Sequence, residues 1–274
     1  MKLLKKIMIA LTVLSVFSFT GCDFLNKIDK IGKELQEKDK PDKTGDIIFA
    51  NGHAISILAI ESLSNDDRHR VIAYAYKINS DGSVMAFGSY AMDCYQPWCY
   101  GANANSIVIE PIVCEVSGDI DNYTFDGDTD GSDNFAQLKA FLKSIGKDDT
   151  EDYTDDDGDP YRAFHKGQTY MTDRIKKQSY FKKEELRAEF KQGWYIPSIA
   201  ELYELYKNKS SIELEYAENL DLYSWAWSSS QVPGEENKAW ALNFKTGEIF
   251  AQIKGRTRNE DSQDGFRLYV RKFE

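Results

Sequence analysis

The order of strand-like and helix-like segments along the chain is what most restricts its fold. Residues 266–273 alternate Phe266, Leu268 and Val270 against Arg267, Tyr269 and Arg271, the two-residue period of a strand. Residues 239–244 and 248–253 form a hairpin pattern across Lys245-Thr246-Gly247, and 225–230 reads as a further strand. Near the other end, residues 46–49 and 53–57 flank Asn51-Gly52, a hairpin signal because both residues tolerate positive φ. Residues 71–78 are rich in β-formers, Ser80-Asp81-Gly82 turns the chain, and 83–90 returns. Between these ends the period changes. Phe135, Leu138, Leu142 and Ile145 share one helix face, which Ser132 or Asp133 can cap and Gly146 can end. A basic helix is expected around 182–191. Residues 193–196 read as a short strand, and Ser198 with Glu201 forms a capping box for a helix over 199–207, with Leu202, Leu205 and Tyr206 inward. Strands at both ends with helices between them indicate an α+β domain.

The first 22 residues belong to another logic. Lys2, Lys5 and Lys6 precede an apolar run of 13 residues, 7–19, and the small pair Thr20-Gly21 stands before Cys22. The run is shorter than the about 20 residues of a membrane-crossing helix, so it reads as a secretory signal peptide. A small residue before cysteine matches a lipobox, with Phe19 where leucine is commonest, so lipidation is expected at Cys22. The expected organisation is therefore a signal peptide over 1–21, a lipidated stem and tether over 22–44, and one domain over 45–274. Phe24, Ile28, Ile31 and Leu35 give the stem a helical spacing before a polar stretch, 37–44. Removing 1–21 takes away three lysines and no acid, which leaves 31 Lys+Arg against 45 Asp+Glu, a charge of −14. Such a surface repels nucleic acid and anionic headgroups, so nucleic-acid binding is not expected and membrane attachment falls to the lipid. The place implied is the cell envelope, facing the periplasm or the exterior.

Three cysteines follow Cys22. In an oxidising compartment Cys94 and Cys99 could close a short loop around Gln96-Pro97-Trp98 and leave Cys114 odd, and the other two pairings stay open. A zinc site is poorly served, because His53, His69 and His165 are scattered. Asp126, Asp128, Asp130 and Asp133 alternate before a helix like the first half of a calcium loop, but Gln137 stands where an EF-hand needs its bidentate Glu. A calcium site of another kind and a solvated turn with helix-capping aspartates are both readings of that loop.

Several short motifs carry a resemblance. The run Gly193-Trp194-Tyr195-Ile196-Pro197-Ser198, then Glu201-Leu202, then Trp227-Ser228-Ser229-Ser230-Gln231, then Ala239-Trp240, resembles the Lcl C-terminal domain family, with its C-type-lectin-like fold. Gly45-Asp46-Ile47-Ile48, Asn51-Gly52 and Asp130-Gly131-Ser132-Asp133-Asn134 are similar to segments of treponemal-type lipoproteins on that fold, among them the retroelement-diversified variable lipoproteins. The ending Gly265-Phe266-Arg267 resembles the formylglycine-generating-enzyme-like branch. That branch needs late catalytic cysteines, and none follows Cys114, so copper-dependent oxidation is not expected.

The resemblance implies a loop-rich face that binds a glycan or protein ligand without turnover. Trp225, Gln231, Asn237, Arg256, Arg258 and Asn259 lie in or beside the expected loops and are residue types that stack on sugars or anchor partners. Trp194, Trp227 and Trp240 alternate with apolar neighbours and read as core. The rival classes are a carboxylate-based glycoside hydrolase and a structural envelope protein. No Gly-x-Ser-x-Gly, His-Glu-x-x-His or glycine-rich phosphate loop is present, and 45 acidic residues make chance carboxylate pairs uninformative.

Overall fold

The β-branched and aromatic runs at the two ends pair with each other. The computed structural model describes residues 36–89, 98–99, 106–147, 161–212, 225–255 and 267–274. Strands β1 (Asp46–Phe49), β2 (Ala54–Ser56), β3 (Val71–Ile78), β4 (Val84–Gly88) and, from the far end, β10 (Val270–Phe273) make one antiparallel sheet in the order β10-β4-β3-β1-β2. A hairpin of β5 (Cys114–Ser117) and β6 (Thr124–Gly127) and a three-stranded sheet of β7 (Trp225–Gln231), β8 (Lys238–Asn243) and β9 (Ile249–Ile253) complete the β structure among the described residues. The helices are α1 (Asn65–Arg68), α2 (Asn134–Ser144), α3 (Arg162–Lys177) and α4 (Ile199–Asn208). The fold is α+β with antiparallel sheets.

Strand alternation sends the large sheet's side chains into two cores. Ile47, Phe49, Tyr74, Tyr76, Met85, Phe87 and Val270 join Ile199, Leu202 and Leu205 of α4 and Ala226, Leu242 and Phe244 of the smaller sheet. Ile48, Ala73, Ala75, Val84 and Ala86 face Phe164, Tyr170 and Met171 of α3 and the ring of Trp194. Because both faces are covered, Arg267, Leu268, Tyr269 and Val270 are all buried, which corrects the expected inward–outward alternation of the last strand. Among the described residues, no helix is long and apolar enough to cross a membrane.

Three other expectations change. The helix expected over 182–191 is instead two short 3-10 turns, Lys183–Glu185 and Ala188–Lys191, and the long helix is α3 upstream. In α2 the Asp133 side chain makes no cap bond and accepts from Gln137 Nε2 at 2.8 Å, while Ile145 is exposed. Ordered structure also begins before Gly45. Lys38 bridges to Ala54, and its Nζ donates to both oxygens of the buried Asp46 at 2.9 Å, which also accepts the N–H groups of Asp42 and Lys43. The polar end of the tether is thus docked on the sheet, because Asp46 needs those donors once β1 and β2 bury it.

Candidate functional site

A cleft of 450 Å³ lies where the end of β3, the loop before α2 and the first turn of α4 converge. Its back wall is built by the capping box. Ser198 Oγ accepts from Glu201 N at 3.2 Å and donates to the carbonyl of Thr129 at 2.7 Å. Glu201 Oε2 accepts from Ser198 N at 2.9 Å and from Gly131 N at 3.0 Å, and Oε1 accepts from the Tyr195 hydroxyl at 2.7 Å. One carboxylate therefore ties together a helix start, an acidic loop and Tyr195, which makes an isolated bridge to Val270 where a short strand was expected over 193–196. Gly131 has to be glycine: a Cβ there would lie 2.6 Å from Ser198 N and 2.8 Å from Glu201 Oε2.

Burial pushes the Glu201 carboxyl up to about 7, partly offset by its three donors, and Asp130 raises it further. The phenols of Tyr195 and Tyr76 are driven well above their ordinary range, first by burial and then by the Glu201 charge. Asp130, Thr129 and Ser132 line one side of the cleft, and Asn79, Met85 and Glu204 contribute elsewhere. Its two lysines are already paired, Lys77 with Glu204 at 2.7 Å and Lys272 with Asp81 at 2.9 Å.

Of the residues expected to bind ligand, three are among the described ones, and these three do not share an exposed face. Gln231 is buried: its Oε1 accepts from Ile109 N at 2.9 Å, and its Nε2 donates to the carbonyls of Ile107 and Glu235. It satisfies backbone groups where the β7–β8 register shifts, so it belongs to the interior and not to a loop face. Trp225 is half-buried, edge-on to Trp227 at 5.0 Å and Phe250 at 5.5 Å. Asn237 is exposed in the turn between β7 and β8. Arg256, Arg258 and Asn259 lie outside the described residues. Trp194 and Trp227 are core, and the half-buried Trp240 donates to the Cys114 carbonyl at 2.7 Å. The serines of the Trp-Ser-Ser-Ser motif act as internal connections: Ser228 donates to Trp240 O, Ser229 accepts from Asn134, and Ser230 accepts from Ile199 N.

The expected calcium ligands are given other tasks. Asp126 sits opposite Glu115 across the hairpin, Asp130 Oδ1 accepts from Ser132 N at 2.9 Å, and Asp133 holds Gln137. Asp128 is drawn inward beside Asn134, and burial raises its carboxyl to about 6. Among the described residues, no group of three or more His, Cys, Asp or Glu side chains comes together to hold a metal.

Cys22 and Cys94 lie outside the described residues. Cys99 and Cys114 are buried and not joined to each other, and burial pushes both thiols up to about 12. No local pattern marks the buried Lys254. Its Nζ donates to the carbonyls of Ile107 and Glu236 at 2.9 and 2.8 Å and sits 4.9 Å from the Trp98 ring centre, with its pKa pulled down to about 8 by burial.

No family model matches the chain, and no match is found among curated proteins. Among solved structures, a fimbrial protein from Bacteroides ovatus ATCC 8483 is similar with a TM-score of 0.40 and 12% identity over 84% of this chain. The chain spans 48% of that protein's length.

Proposed function

We propose that this chain is a lipid-anchored extracytoplasmic protein whose domain, lectin-like in fold, recognises a glycan or protein ligand without turning it over. The leader ending at Cys22 supports export and anchoring. The observation that carries the recognition reading is the state of Glu201. It is the cleft carboxylate whose pKa is raised most, yet both of its oxygens already hold donors from three parts of the chain. A group so committed fixes a binding surface; a general acid must deliver its proton to a leaving group. The aromatic, amide and hydroxyl groups around it are those that recognise polar ligands.

A second reading has one observation in its favour: Glu201, raised to about 7, shares the cleft with the carboxylate of Asp130, and a pair of carboxyl groups can run glycoside hydrolysis. The two are separated by presenting the purified chain with panels of glycans and extracellular matrix proteins while following both capture and release of reducing ends. Recognition predicts saturable capture with the ligand recovered intact. Cleavage that disappears in Glu201→Gln would establish the hydrolase instead.

A further inference from the structure

The charge of −14 from Cys22 onward hides a local reversal of sign. Residues 176–183 read Lys-Lys-Gln-Ser-Tyr-Phe-Lys-Lys, with four cations and no acid where α3 ends and the turn Lys183–Glu185 begins. Gln178 and Phe181 fix this bend from inside: Gln178 Oε1 accepts from Arg174 Nε at 2.9 Å, and Phe181 lies under the same guanidinium. Lys176, Lys177, Ser179 and Lys183 are left exposed, as is Tyr180, a large ring that is 46% exposed and 4.6 Å from that of His69. The neighbouring acids do not cancel the four lysines. Asp66 meets Lys182 at 3.7 Å, Glu184 follows the run, and Asp173 is already held by Lys166 at 2.7 Å. The bend also lies beside the docked tether. Glu37 is 2.9 Å from His53 Nδ1 and 4.0 Å from Arg70, Arg70 Nε donates to Glu185, and Lys182 N donates to the His69 carbonyl at 3.3 Å. The stretch from Cys22 to Gln36 spans at most about 45 Å, so a lipid on Cys22 keeps this side of the domain near the bilayer.

Resting on the reading that Cys22 carries lipid, we propose that the bend at 176–183 is a second membrane contact, with Tyr180 in the headgroup layer of an anionic phospholipid bilayer and Lys176, Lys177, Lys182 and Lys183 on its phosphates. Ammonium groups make charge-assisted bonds to phosphate oxygens, and a tyrosine suits the interface because its ring is apolar and its hydroxyl stays wet. An acyl anchor and a basic patch together hold a protein on a bilayer more firmly than either does alone. The acidic remainder of the domain is repelled from the same surface, so attraction at the bend and repulsion elsewhere give the domain one orientation. A dissolved polyanion would satisfy the lysines equally well; the exposed Tyr180 and the adjoining tether favour the bilayer.

The test reconstitutes the exported chain, carrying Ser179→Cys labelled with a fluorescent dye, into vesicles of phosphatidylcholine alone or with about one-third phosphatidylglycerol. Wild type treated with the same dye gives the background from the native thiols. Spin-labelled lipid should quench the dye at least about threefold more in the anionic vesicles, and the difference should vanish at about 1 M salt, where charges are screened within about 3 Å. Lys176→Glu with Lys183→Glu should remove that quenching and leave flotation with the vesicles and the melting temperature unchanged, because both side chains are exposed. Equal quenching in the two kinds of vesicle, or quenching that survives the double variant, would overturn the proposal. A dye response to dissolved heparin with none to anionic vesicles would make the bend a polysaccharide site instead. Flotation with both vesicles and no dye response in either overturns the orientation alone, whereas a chain that floats with neither overturns the anchoring reading and the orientation with it.

Discussion

Gln231 shows how a side chain's role depends on what lies far from it in sequence. Following a serine run and preceding Val232-Pro233-Gly234, it has the surroundings of a loop amide. Its acceptor is matched to Ile109 N, 122 positions away, and its donors to the carbonyls of Ile107 and Glu235. Gln231→Ala would leave the Ile109 N–H without this partner, while the Ile107 carbonyl keeps its Lys254 donor, so the cost is that of one stranded group, about 1–3 kcal/mol. We expect a loss of about 1–3 kcal/mol in urea unfolding, with ligand capture by the folded fraction unchanged. Unaltered stability with weakened capture would return Gln231 to the binding surface. The contrast with Glu201 is instructive. Its place as the third residue of a capping box was legible because the motif is local, as were the buried Trp194 and Trp227 from their apolar neighbours. Its bond to Gly131 was not legible, because nothing within a few residues encodes a partner 70 positions away.

At the scale of elements, the helices differ in how openly they announce themselves. Helix α4 begins with a capping box and carries Leu202 and Leu205 inward as expected, while Tyr203 is the buried tyrosine and Tyr206, expected inward, is half-buried. Helix α3 was missed because its buried stripe includes Gly167 and Arg174, residues that break an apolar pattern. Gly167 lets the helix lie against the Trp194 carbonyl, since a Cβ there would come within 3.0 Å of that oxygen. Arg174 is buried at 4% exposure yet fully used: its guanidinium donates to the Val71 carbonyl at 2.6 Å, Ser89 Oγ at 2.8 Å and Gln178 Oε1 at 2.9 Å, and stacks over Phe181. It fastens α3 to β3 and to the residue after β4. Arg174→Met keeps much of the apolar stem but removes these bonds, leaving the Val71 carbonyl its Ser89 Oγ donor, and we expect it to cost about 2–3 kcal/mol. Hydrogen exchange should show the loss as faster opening of 163–177 than of α4. Protection falling equally in both helices would mean that α3 does not open as a separate unit.

At the scale of the whole molecule, the last strand lies against β4, so the sheet that begins at Asp46 is finished only by Val270–Phe273. Both faces of that sheet are covered, and the carboxylates trapped at the margins of the cores make stability depend on pH in a direction unusual for an acidic protein. Glu201 and Asp128 are held at about 7 and about 6. In the unfolded chain they titrate near the ordinary carboxylate range of about 4. Between those values the folded state keeps protons that the unfolded state has released, so stability falls as pH rises from about 4.5 to 7 and levels off above. The limit is about 3 kcal/mol for each group. Asp42, Asp67 and Asp173 are shifted the other way by Lys38, Ser64 and Lys166, against the opposing effect of their burial. Their contribution is fully present above the ordinary carboxylate value and is lost only as pH falls below about 4. Lys254 titrates above the window, at about 8. Together these place the stability maximum near pH 4–5, and acidification also relieves the self-repulsion of a chain with net charge −11. Urea unfolding at pH 5 and pH 7.5 should show the wild type more stable at the lower pH, and the double variant Glu201→Gln with Asp128→Asn should flatten the difference. If wild-type stability rises from pH 5 to 7.5, the two carboxyls are ionised in the fold, and the buried wiring at Glu201 carries a charge and not a proton.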